Sequence, residues 1–304
     1  MQYKTIITDD NLLEQIQYPD GRLPISFYQD SLDDFLNGEV GFHWHDDFEF
    51  GFILQGEIEC HIHQRLPDAS KQSPVVLKAG DGMFINSRSL HWIRQVKPHT
   101  ILPNFVVPAN LFSLSPMREV YQQNILPLIR SPISGLYLLS ERETDNKLLH
   151  VIKEIYNLDI VEIGYELHCI ELLCRLWRLL LTRILQTGKQ PPAAKAEFIQ
   201  EERMRRMLSY IHTHYTESMT ADRIARSANI SRSECFRCFR TIMGISPSEY
   251  LCQYRLSQAA HLLLSTDRPI SDICFSCGFK STSYFGKVFR EKCGLSPGQY
   301  RKNA

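Results

Sequence analysis

The sequence predicts an α+β protein of two domains. They are an N-terminal β-barrel with a helical segment and an all-α C-terminal domain of two helix-turn-helix units joined by a long helix. The chain has 304 residues, 43% of them apolar, and is too long for one ordinary core. Short alternating apolar runs occupy its first third, and a twelve-residue pattern occurs twice near its end. We expect domains at 1–186 and 197–304, joined by a linker at 187–196.

The first third of the chain has the spacing of short β-strands. Apolar and polar residues alternate from Phe48 to His63 around a break at 55–57, and this pattern predicts a β-hairpin. Many short strands with turns between them are typical of a barrel or a sandwich. Further short apolar runs, separated by glycine and proline, lie at 75–77, 83–85, 92–96 and 101–107.

After Pro108 the apolar spacing becomes helical. Apolar residues recur at close to helical spacing between Ile170 and Ile184 and form a stripe from which most charged residues are excluded. Such a stripe can pack on the chain's own barrel or on a second copy, so both a core role and a homodimer remain open. The segment 187–196 has no periodicity and contains two consecutive prolines, which predicts the linker.

The charge of the chain is unevenly divided. Residues 195–304 contain 17 Lys and Arg against 10 Asp and Glu, whereas the rest contains 17 against 24. This division favours binding of a polyanion by the C-terminal part. There is no basic leader followed by an apolar core, and no apolar run has the length of a membrane span. We expect a cytoplasmic protein whose nine cysteines are reduced.

The C-terminal part contains an internal repeat. Residues 239–250, FRTIMGISPSEY, recur fifty residues later at 289–300 as FREKCGLSPGQY. Each copy is predicted to contain a short helix, at 221–228 or 270–277, then a tight turn and a second helix with a serine cap. The equivalent positions are Asn229 and Gly278 in the turns, Ser231 and Ser281 as caps, and Gly244 and Gly294 as helix ends.

The second helix of each copy is predicted to have one buried face and one exposed face. Equivalent positions at 235, 238 and 239 and at 285, 288 and 289 are apolar, while basic residues recur on the opposite side. The sequence GFKSTSYFGKVFREKCGLSPGQYR at 278–301 resembles the signature of AraC/XylS-type regulators. That resemblance implies that the two second helices enter successive major grooves of DNA, one helical turn apart.

The resemblance also implies the partners and the contacts. The partners are double-stranded promoter or operator DNA and RNA polymerase, and activation is the usual role in this family. The contact with the best-defined chemistry is Arg237 on a guanine. The implied contacts to base edges are from Arg232, Ser233, Phe236, Arg237, Thr282, Ser283 and Lys287, and those to phosphates are from Arg240 and Arg290.

Two cysteine pairs in this part, Cys235 with Cys238 and Cys274 with Cys277, have the spacing of zinc ligands. All four align with apolar positions of the other copy, and buried free cysteine behaves as a small apolar residue. We therefore predict core cysteines rather than a zinc site.

The N-terminal part contains a second group of candidate residues. The spacing of His43, His45 and Glu49, with His91 further on, resembles the metal-binding motifs of cupin barrels. In an extended segment the three odd positions can share one sheet face and meet His91 from a second strand. Such a set could hold zinc, iron or manganese. The second motif departs from the cupin pattern, so we predict no metal and no cofactor; the departures are Ser87, Ser89 and Gln95.

Regulators that resemble AraC use the cupin pocket for a small effector, often a sugar. The resemblance therefore implies that the three histidines and Glu49 bind effector hydroxyls, while Trp44 or Trp92 supplies an apolar wall. Two alternatives remain open at this site. The histidines can serve only as hydrogen-bond partners for one another, or the chain can be a metal-dependent cupin enzyme fused to a DNA-binding domain. A third alternative, for the whole chain, is a DNA-binding protein without sequence selectivity. Neither a phosphate-binding glycine loop nor a Gly-x-Ser-x-Gly motif is present, so we predict a regulator and not an enzyme.

Overall fold

The computed structural model describes residues 4, 6–9, 12–20, 22–63, 74–113, 117–131, 133–185, 195–243 and 245–302. The chain divides into two compact units, one containing Leu13–Phe198 and the other Ile199–Ala304, each with a few residues from the start of the chain. Most of the predicted linker lies outside the described residues, and a helix begins at Lys195. No helix within the described ranges is long and apolar enough to cross a membrane.

The described part of the N-terminal unit contains two antiparallel sheets. The five-stranded sheet has the order β1-β8-β3-β6-β9, and the four-stranded sheet has the order β2-β7-β4-β5. The strands are β1 (Ser26–Ser31), β2 (Glu39–His43), β3 (Phe48–Phe52), β4 (Glu57–Ile62), β5 (Val75–Lys78), β6 (Gly82–Ile85), β7 (His91–Gln95), β8 (Ile101–Val107) and β9 (Gly135–Leu138).

The hairpin predicted over 48–63 is wrong in its pairing. Both strands form, but β3 pairs with β6 and β8, whereas β4 pairs with β5 and β7 of the other sheet. Gly56, at φ 85°, lies in the turn where the chain changes sheets, and a Cβ there would collide with Thr100. Alternation predicts which face of a strand is apolar but not its partner strand. For this reason the sequence pattern located the strands correctly and paired them incorrectly.

The N-terminal helices cover the five-stranded sheet. The regular helices are α1 (Arg118–Val120), α2 (Leu126–Ile129), α3 (Glu143–Tyr156) and α4 (Tyr165–Leu185). Tyr121–Ile125 form a wider π turn, and two short 3-10 turns, Leu32–Asp34 and Leu36–Gly38, connect β1 to β2.

Helix α4 packs its apolar stripe against the core of its own unit, which is one of the two roles predicted for that stripe. The Trp177 ring lies 4.6 Å from that of Phe48 and 5.7 Å from that of Phe50, measured between centroids. Leu173 and Leu180 are buried in the same core, whereas Cys174, placed in the stripe by its spacing, is exposed. Because β3 alternates, Phe48 and Phe50 face the helices while Glu49 faces the space between the sheets.

The C-terminal unit is helical in its described part. The helices that the sequence predicts at 221–228 and 270–277 form within one residue of those bounds. The helices are α5 (Lys195–His214), α6 (Ala221–Ser227), α7 (Arg232–Met243), α8 (Pro247–Ser265), α9 (Ile270–Ser276), α10 (Thr282–Cys293) and α11 (Pro297–Lys302).

Local signals explain the two helix pairs, α6 with α7 and α9 with α10. The turns contain Asn229 at φ 54° and Gly278 at φ 80°, as the repeat predicts. Ser231 accepts a hydrogen bond from the Glu234 N–H at 3.2 Å, and Ser281 caps α10 in the same way. Helix α10 ends at Gly294, whose φ is 74°, while the equivalent Gly244 lies outside the described residues.

The four cysteines with zinc-like spacing are buried and free. Burial raises the pKa of the Cys235 thiol to about 12 and that of Cys238 to about 11. Burial also raises the pKa of Cys277 to about 11 and that of Cys274 above its usual value. Protonated thiols in a core are poor metal ligands.

Candidate functional site

Four side chains that the sequence selects meet in the N-terminal unit. His43 ends β2 and is the register partner of His91, which begins β7. Glu49 lies in β3 of the other sheet, and one ligand atom from each of these residues and His45 lies within 4.8 Å of the rest. The four residues converge, but the prediction that 43, 45 and 49 share one sheet face is wrong. The chain changes sheets between His43 and Phe48, so the cluster forms between two sheets.

The backbone orients all three histidine rings. Each Nδ1 lies 2.8 to 2.9 Å from a backbone carbonyl oxygen, and the acceptors for His43, His45 and His91 are Gly41, Asp47 and Ser89. A carbonyl oxygen only accepts hydrogen bonds, so each Nδ1 carries the proton. In a neutral ring Nε2 then has a lone pair, and it is this atom that points into the cluster.

Glu49 supplies the carboxylate that contacts two of the three rings. Its Oε2 lies 3.2 Å from Nε2 of His45 and 3.4 Å from Nε2 of His91. Burial disfavours the carboxylate, but the contacts with these two rings hold the pKa of Glu49 well below its usual value. Burial also opposes the charged form of His45, but Glu49 raises its pKa. The pKa of His43 is far below its usual value because of burial and because of its neighbours His91 and His45.

The cluster includes a carboxylate that the sequence analysis missed. Oε2 of Glu14 lies 3.6 Å from Nε2 of His43, and the Glu14 backbone N–H donates to the Trp44 carbonyl at 2.9 Å. Burial raises the pKa of Glu14 to about 7. Glu14 is far from the motif in sequence and belongs to no periodic pattern, so nothing in the sequence marked it.

The two tryptophans lie differently from the predicted apolar wall. Trp92 follows His91 in β7, so its side chain leaves the opposite face of the strand. It stacks on His61 at 6.2 Å and lies 5.9 Å from Phe42, away from the cluster. Strand alternation therefore contradicts the assignment of Trp92 to the wall. Trp44 lies between His43 and His45 in the sequence and is half-buried. Its backbone carbonyl accepts the hydrogen bond from the Glu14 N–H.

In the C-terminal unit, α7 and α10 have the buried and exposed faces that the repeat predicts. Cys235, Cys238 and Phe239 are buried, as are Phe285 and Phe289, while Val288 is half-buried. Of the residues assigned to DNA, Phe236 is half-buried and the others are exposed, namely Arg232, Ser233, Arg237, Arg240, Thr282, Ser283, Lys287 and Arg290.

Two of these exposed arginines contact neighbours on α7. The Arg232 guanidinium lies 5.8 Å from the centre of the Phe236 ring. Arg237 donates twice to Glu234, at 2.8 and 2.6 Å, and this pairing holds the pKa of Glu234 below its usual value. Glu234 also lies 3.6 Å from Arg203 of α5. Glu234 was not predicted from the sequence, although a carboxylate three residues before an arginine on a helix is a known pairing signal.

Comparison with known proteins agrees with the helix pairs of the C-terminal unit. Residues 224–303 match a family described as a helix-turn-helix domain. The chain is 28% identical to the uncharacterized HTH-type transcriptional regulator YdeC of Bacillus subtilis over 98% of this chain and 99% of that one. It is 24% identical to the melibiose operon regulatory protein of Escherichia coli over 86% and 83% of the two chains.

Among solved structures, a transcriptional regulator from Chromobacterium violaceum is described as containing an AraC-type DNA-binding domain. It is 28% identical over 34% of this chain and 91% of its own, with a TM-score of 0.33. The family match over 224–303 contains both α7 and α10, and the similarity to the Bacillus regulator extends over both units. The chain therefore contains a helix-turn-helix domain at 224–303 and is similar over nearly its whole length to a transcriptional regulator.

Proposed function

We propose that this regulator is a cytoplasmic activator that binds a specific promoter sequence through two helix-turn-helix units. The units are α6 with α7 and α9 with α10. The observation that carries the proposal is the repetition itself, because two equivalent helices expose the same polar and basic face. A single chain with two such helices has the parts needed to read two half-sites in successive major grooves.

In this proposal the exposed face of each second helix reads base edges. The base-reading residues are Arg232, Ser233, Phe236, Arg237, Thr282, Ser283 and Lys287, while Arg240 and Arg290 bind phosphates. Arg237 binds a guanine in one half-site, since a guanidinium matches the two acceptors of that base. The half-buried Phe236 contacts a thymine methyl group. The excess of basic residues over 195–304 supports association with the phosphate backbone.

The N-terminal unit, which we take to be a cupin-like barrel spanning 1–186, binds a small effector at the cluster of His43, His45, Glu49 and His91. A buried set of hydrogen-bonding groups between two sheets suits a polyhydroxyl compound such as a sugar, and Trp44 is the remaining aromatic candidate for its apolar side. The names of two relatives support a sugar. One is the melibiose operon regulatory protein, and the other is the lactose operon transcription activator of Staphylococcus xylosus, 35% identical over 34% of this chain and 37% of its own.

Effector binding is proposed to change how α4 and the linker at 187–196 hold the DNA-binding domain at 197–304, and so to change promoter occupancy and contact with RNA polymerase. We also propose that the chain acts as a homodimer. Apolar side chains before and at the start of α4 support this, because Val161, Ile163 and Leu167 are between 76% and 100% exposed. Large exposed apolar groups are typical of interaction surfaces.

An enzyme is the competing function for the histidine cluster. The relatives named above are described as a transcriptional regulator, a transcription activator and an operon regulatory protein. We therefore favour binding over turnover at the cluster. Turnover of a substrate by the full chain, abolished in His45→Gln, would favour the enzyme.

Selection from random duplex DNA with the full-length chain tests the DNA-binding proposal. We expect a bipartite site with half-sites about one helical turn apart. At one fixed salt concentration, Arg237→Ala and Lys287→Ala should each relax the sequence preference in a different half-site, at a cost of about 1–3 kcal/mol. Failure to select a motif, with both variants weakening all DNA equally, would contradict specific recognition.

A further inference from the structure

We propose that the N-terminal unit has a second ligand site, for a small aromatic carboxylate, on the helix-facing side of the five-stranded sheet. The site is a pocket of about 420 Å³ between β1, β3 and β8 and the last turn of α3. Small-molecule sites in proteins commonly have volumes of about 300–1,000 Å³. The histidine cluster lies between the two sheets, on the other face of the five-stranded sheet, so this inference goes beyond the effector site proposed above and does not depend on it.

The floor of the pocket is a row of side chains across three adjacent strands. Gln29 of β1 is the register partner of Pro103 in β8, and Phe52 of β3 lies beside Pro103 on its other side. Strand alternation puts Pro103 on the same face as Phe105, whose ring packs at 5.4 Å from that of Phe50 in the helix-facing core. Prolines in sheets usually lie in edge strands, because they remove an N–H from the ladder. Pro103 lies in an interior strand, so its flat apolar ring contributes to the floor at a cost in sheet hydrogen bonding.

The wall of the pocket is one face of α3. Lys153, Tyr156 and Asn157 line the pocket, and their spacing of three and four residues puts them on the same side of the helix. The Tyr156 ring lies 5.7 Å from that of Phe52 and is nearly perpendicular to it, at 84°. These two aromatic rings and the Pro103 ring offer the apolar surfaces that a flat aromatic ligand contacts.

The charge in the pocket favours an anionic ligand. Within the described part of the chain, the Lys153 ammonium makes no ion pair or hydrogen bond and lies 5.5 Å from the centre of the Phe52 ring. None of the described residues that line the pocket is acidic. Asp30 follows Gln29 in β1, so its side chain leaves the opposite face of the sheet, where Asn104 donates to it at 3.0 Å. An ammonium group without a protein partner is suited to a ligand carboxylate, because hydrogen bonds between charged groups are the strong ones.

Two neutral groups add hydrogen-bonding capacity. Among the described residues, the Tyr156 phenol and the Gln29 amide have no hydrogen-bond partner. Burial and the nearby Asp30 raise the pKa of Tyr156, so the phenol is protonated at neutral pH and can donate. The end of α3 is the negative end of the helix dipole, which disfavours an anion. Asn157 caps this end by donating from Nδ2 to the Lys153 carbonyl at 2.8 Å, which reduces the repulsion that a carboxylate would meet.

Titration calorimetry of the full-length chain with benzoate tests the proposal. Benzamide is the matched neutral ligand, because it has the same ring and nearly the same shape. We expect one benzoate per chain, with benzamide about tenfold weaker because it lacks the charged contact with Lys153. Hexanoate, a carboxylate without a ring, should also bind more weakly than benzoate. Equal binding of hexanoate and benzoate would refute the aromatic class of ligand.

Variants locate the bound acid. Lys153→Met keeps the apolar stem of the side chain but removes the charge, so benzoate should bind about tenfold more weakly and benzamide as before. Lys147→Met is the matched control, because Lys147 is an exposed lysine of α3 that pairs with Glu143 at 2.7 Å, and its affinity for benzoate should not change. Gln29→Tyr, at an exposed strand position, should fill the pocket and abolish binding of both ligands. His45→Gln, in the histidine cluster, should bind benzoate as the unmodified chain does. Circular dichroism and Tm show that each variant is folded.

Three further results would overturn the proposal. Absence of saturable benzoate binding by the folded chain would mean that Lys153 serves only the end of the helix. Equal losses of affinity in Lys153→Met and Lys147→Met would indicate a general attraction to positive charge. Loss of benzoate binding in a folded His45→Gln variant, with binding retained in Gln29→Tyr, would place the acid in the histidine cluster. That last result would refute the second site while leaving the proposed effector site standing.

Discussion

The pairing of Arg237 with Glu234 predicts that Glu234 restrains DNA binding. Arg237 is the residue proposed to contact guanine, yet in the free chain two of its donors are directed at Glu234, at 2.8 and 2.6 Å. Binding a base requires these hydrogen bonds to break. The side chain of Arg237 is 67% exposed and that of Glu234 is 22% exposed, so water screens the pair. An exposed pair of this kind stabilises the free chain by about 0.2–1 kcal/mol.

Substituting Glu234→Gln should therefore tighten DNA binding. The amide retains the shape of the side chain but releases most of the ion-pair energy, and it removes an anion from a face that meets phosphates. We expect an increase in affinity of up to about fivefold, the equivalent of 1 kcal/mol. The measurement is fluorescence anisotropy with a labelled duplex containing the selected site, at one salt concentration. Glu291→Gln is the matched control on α10, where the pair with Lys287 is looser at 3.9 Å and the gain should be smaller.

A double-mutant cycle with Arg237→Ala tests whether Glu234 competes with DNA for Arg237. If Glu234 acts by competing for Arg237, the gain from Glu234→Gln should largely disappear in the Arg237→Ala background. A gain of equal size in both backgrounds would show a general effect of charge. Weaker binding in Glu234→Gln, absent when Arg237 is also removed, would show that Glu234 positions Arg237 for the base, and the competition hypothesis would fail.

Three further predictions concern stability. Burial lowers the pKa of His212 from 6.5 to about 3, so the unfolded chain takes up a proton that the folded chain excludes, and stability should fall as the pH drops below 6.5. The free energy of unfolding, measured by urea unfolding followed by circular dichroism, should fall by about 2 kcal/mol between pH 7 and pH 5. In His212→Gln this part of the pH dependence should be absent. Asp145 is fully buried and pairs with Arg183 at 2.5 Å, so Asp145→Asn should lower the free energy of unfolding by about 3–5 kcal/mol. Unfolding is followed by tryptophan fluorescence, and the control Glu143→Gln, at an exposed position, should change this free energy little. Gly278→Ala should destabilise the C-terminal unit by more than about 1–2 kcal/mol, because its φ is 80° and a Cβ would meet the Tyr215 carbonyl. Its control, Gly286→Ala in the open middle of α10, should instead stabilise by about 0.5–1 kcal/mol; equal effects of the two glycine variants would contradict the role of φ.

The sequence predicted the C-terminal unit more completely than the N-terminal one. Caps such as Ser231 and turns such as Asn229 act over a few residues, and the repeat supplies each signal twice, so the bounds of α6 and α9 were correct within one residue. In the N-terminal unit, Val107 ends β8 where the apolar run ends, yet the partner of each strand depends on contacts between distant residues.

The candidate site in the N-terminal unit shows the same limit. The spacing of His43, His45 and Glu49 identified three members of the cluster because a motif is a local pattern. Glu14 was missed because only the folded chain brings it to His43. Trp92 was assigned wrongly because adjacency to His91 in a strand means opposite faces, and the alternation of β7 was not applied to it.

The distribution of thiols in this chain has a practical consequence for the homodimer proposal. Cys174 on α4 is the one exposed cysteine, whereas the others are buried or half-buried. Burial raises the pKa of the two cysteines in α7, of Cys274 in α9 and of Cys277 directly after α9. Burial raises the pKa of Cys174 as well, but its sulfur is the one that an alkylating reagent can reach directly, so Cys174 should react first in the native protein. A spin label or dye can therefore be attached to α4 without engineering the chain. Pulsed distance measurements between two such labels would then report whether two copies bring their α4 helices together.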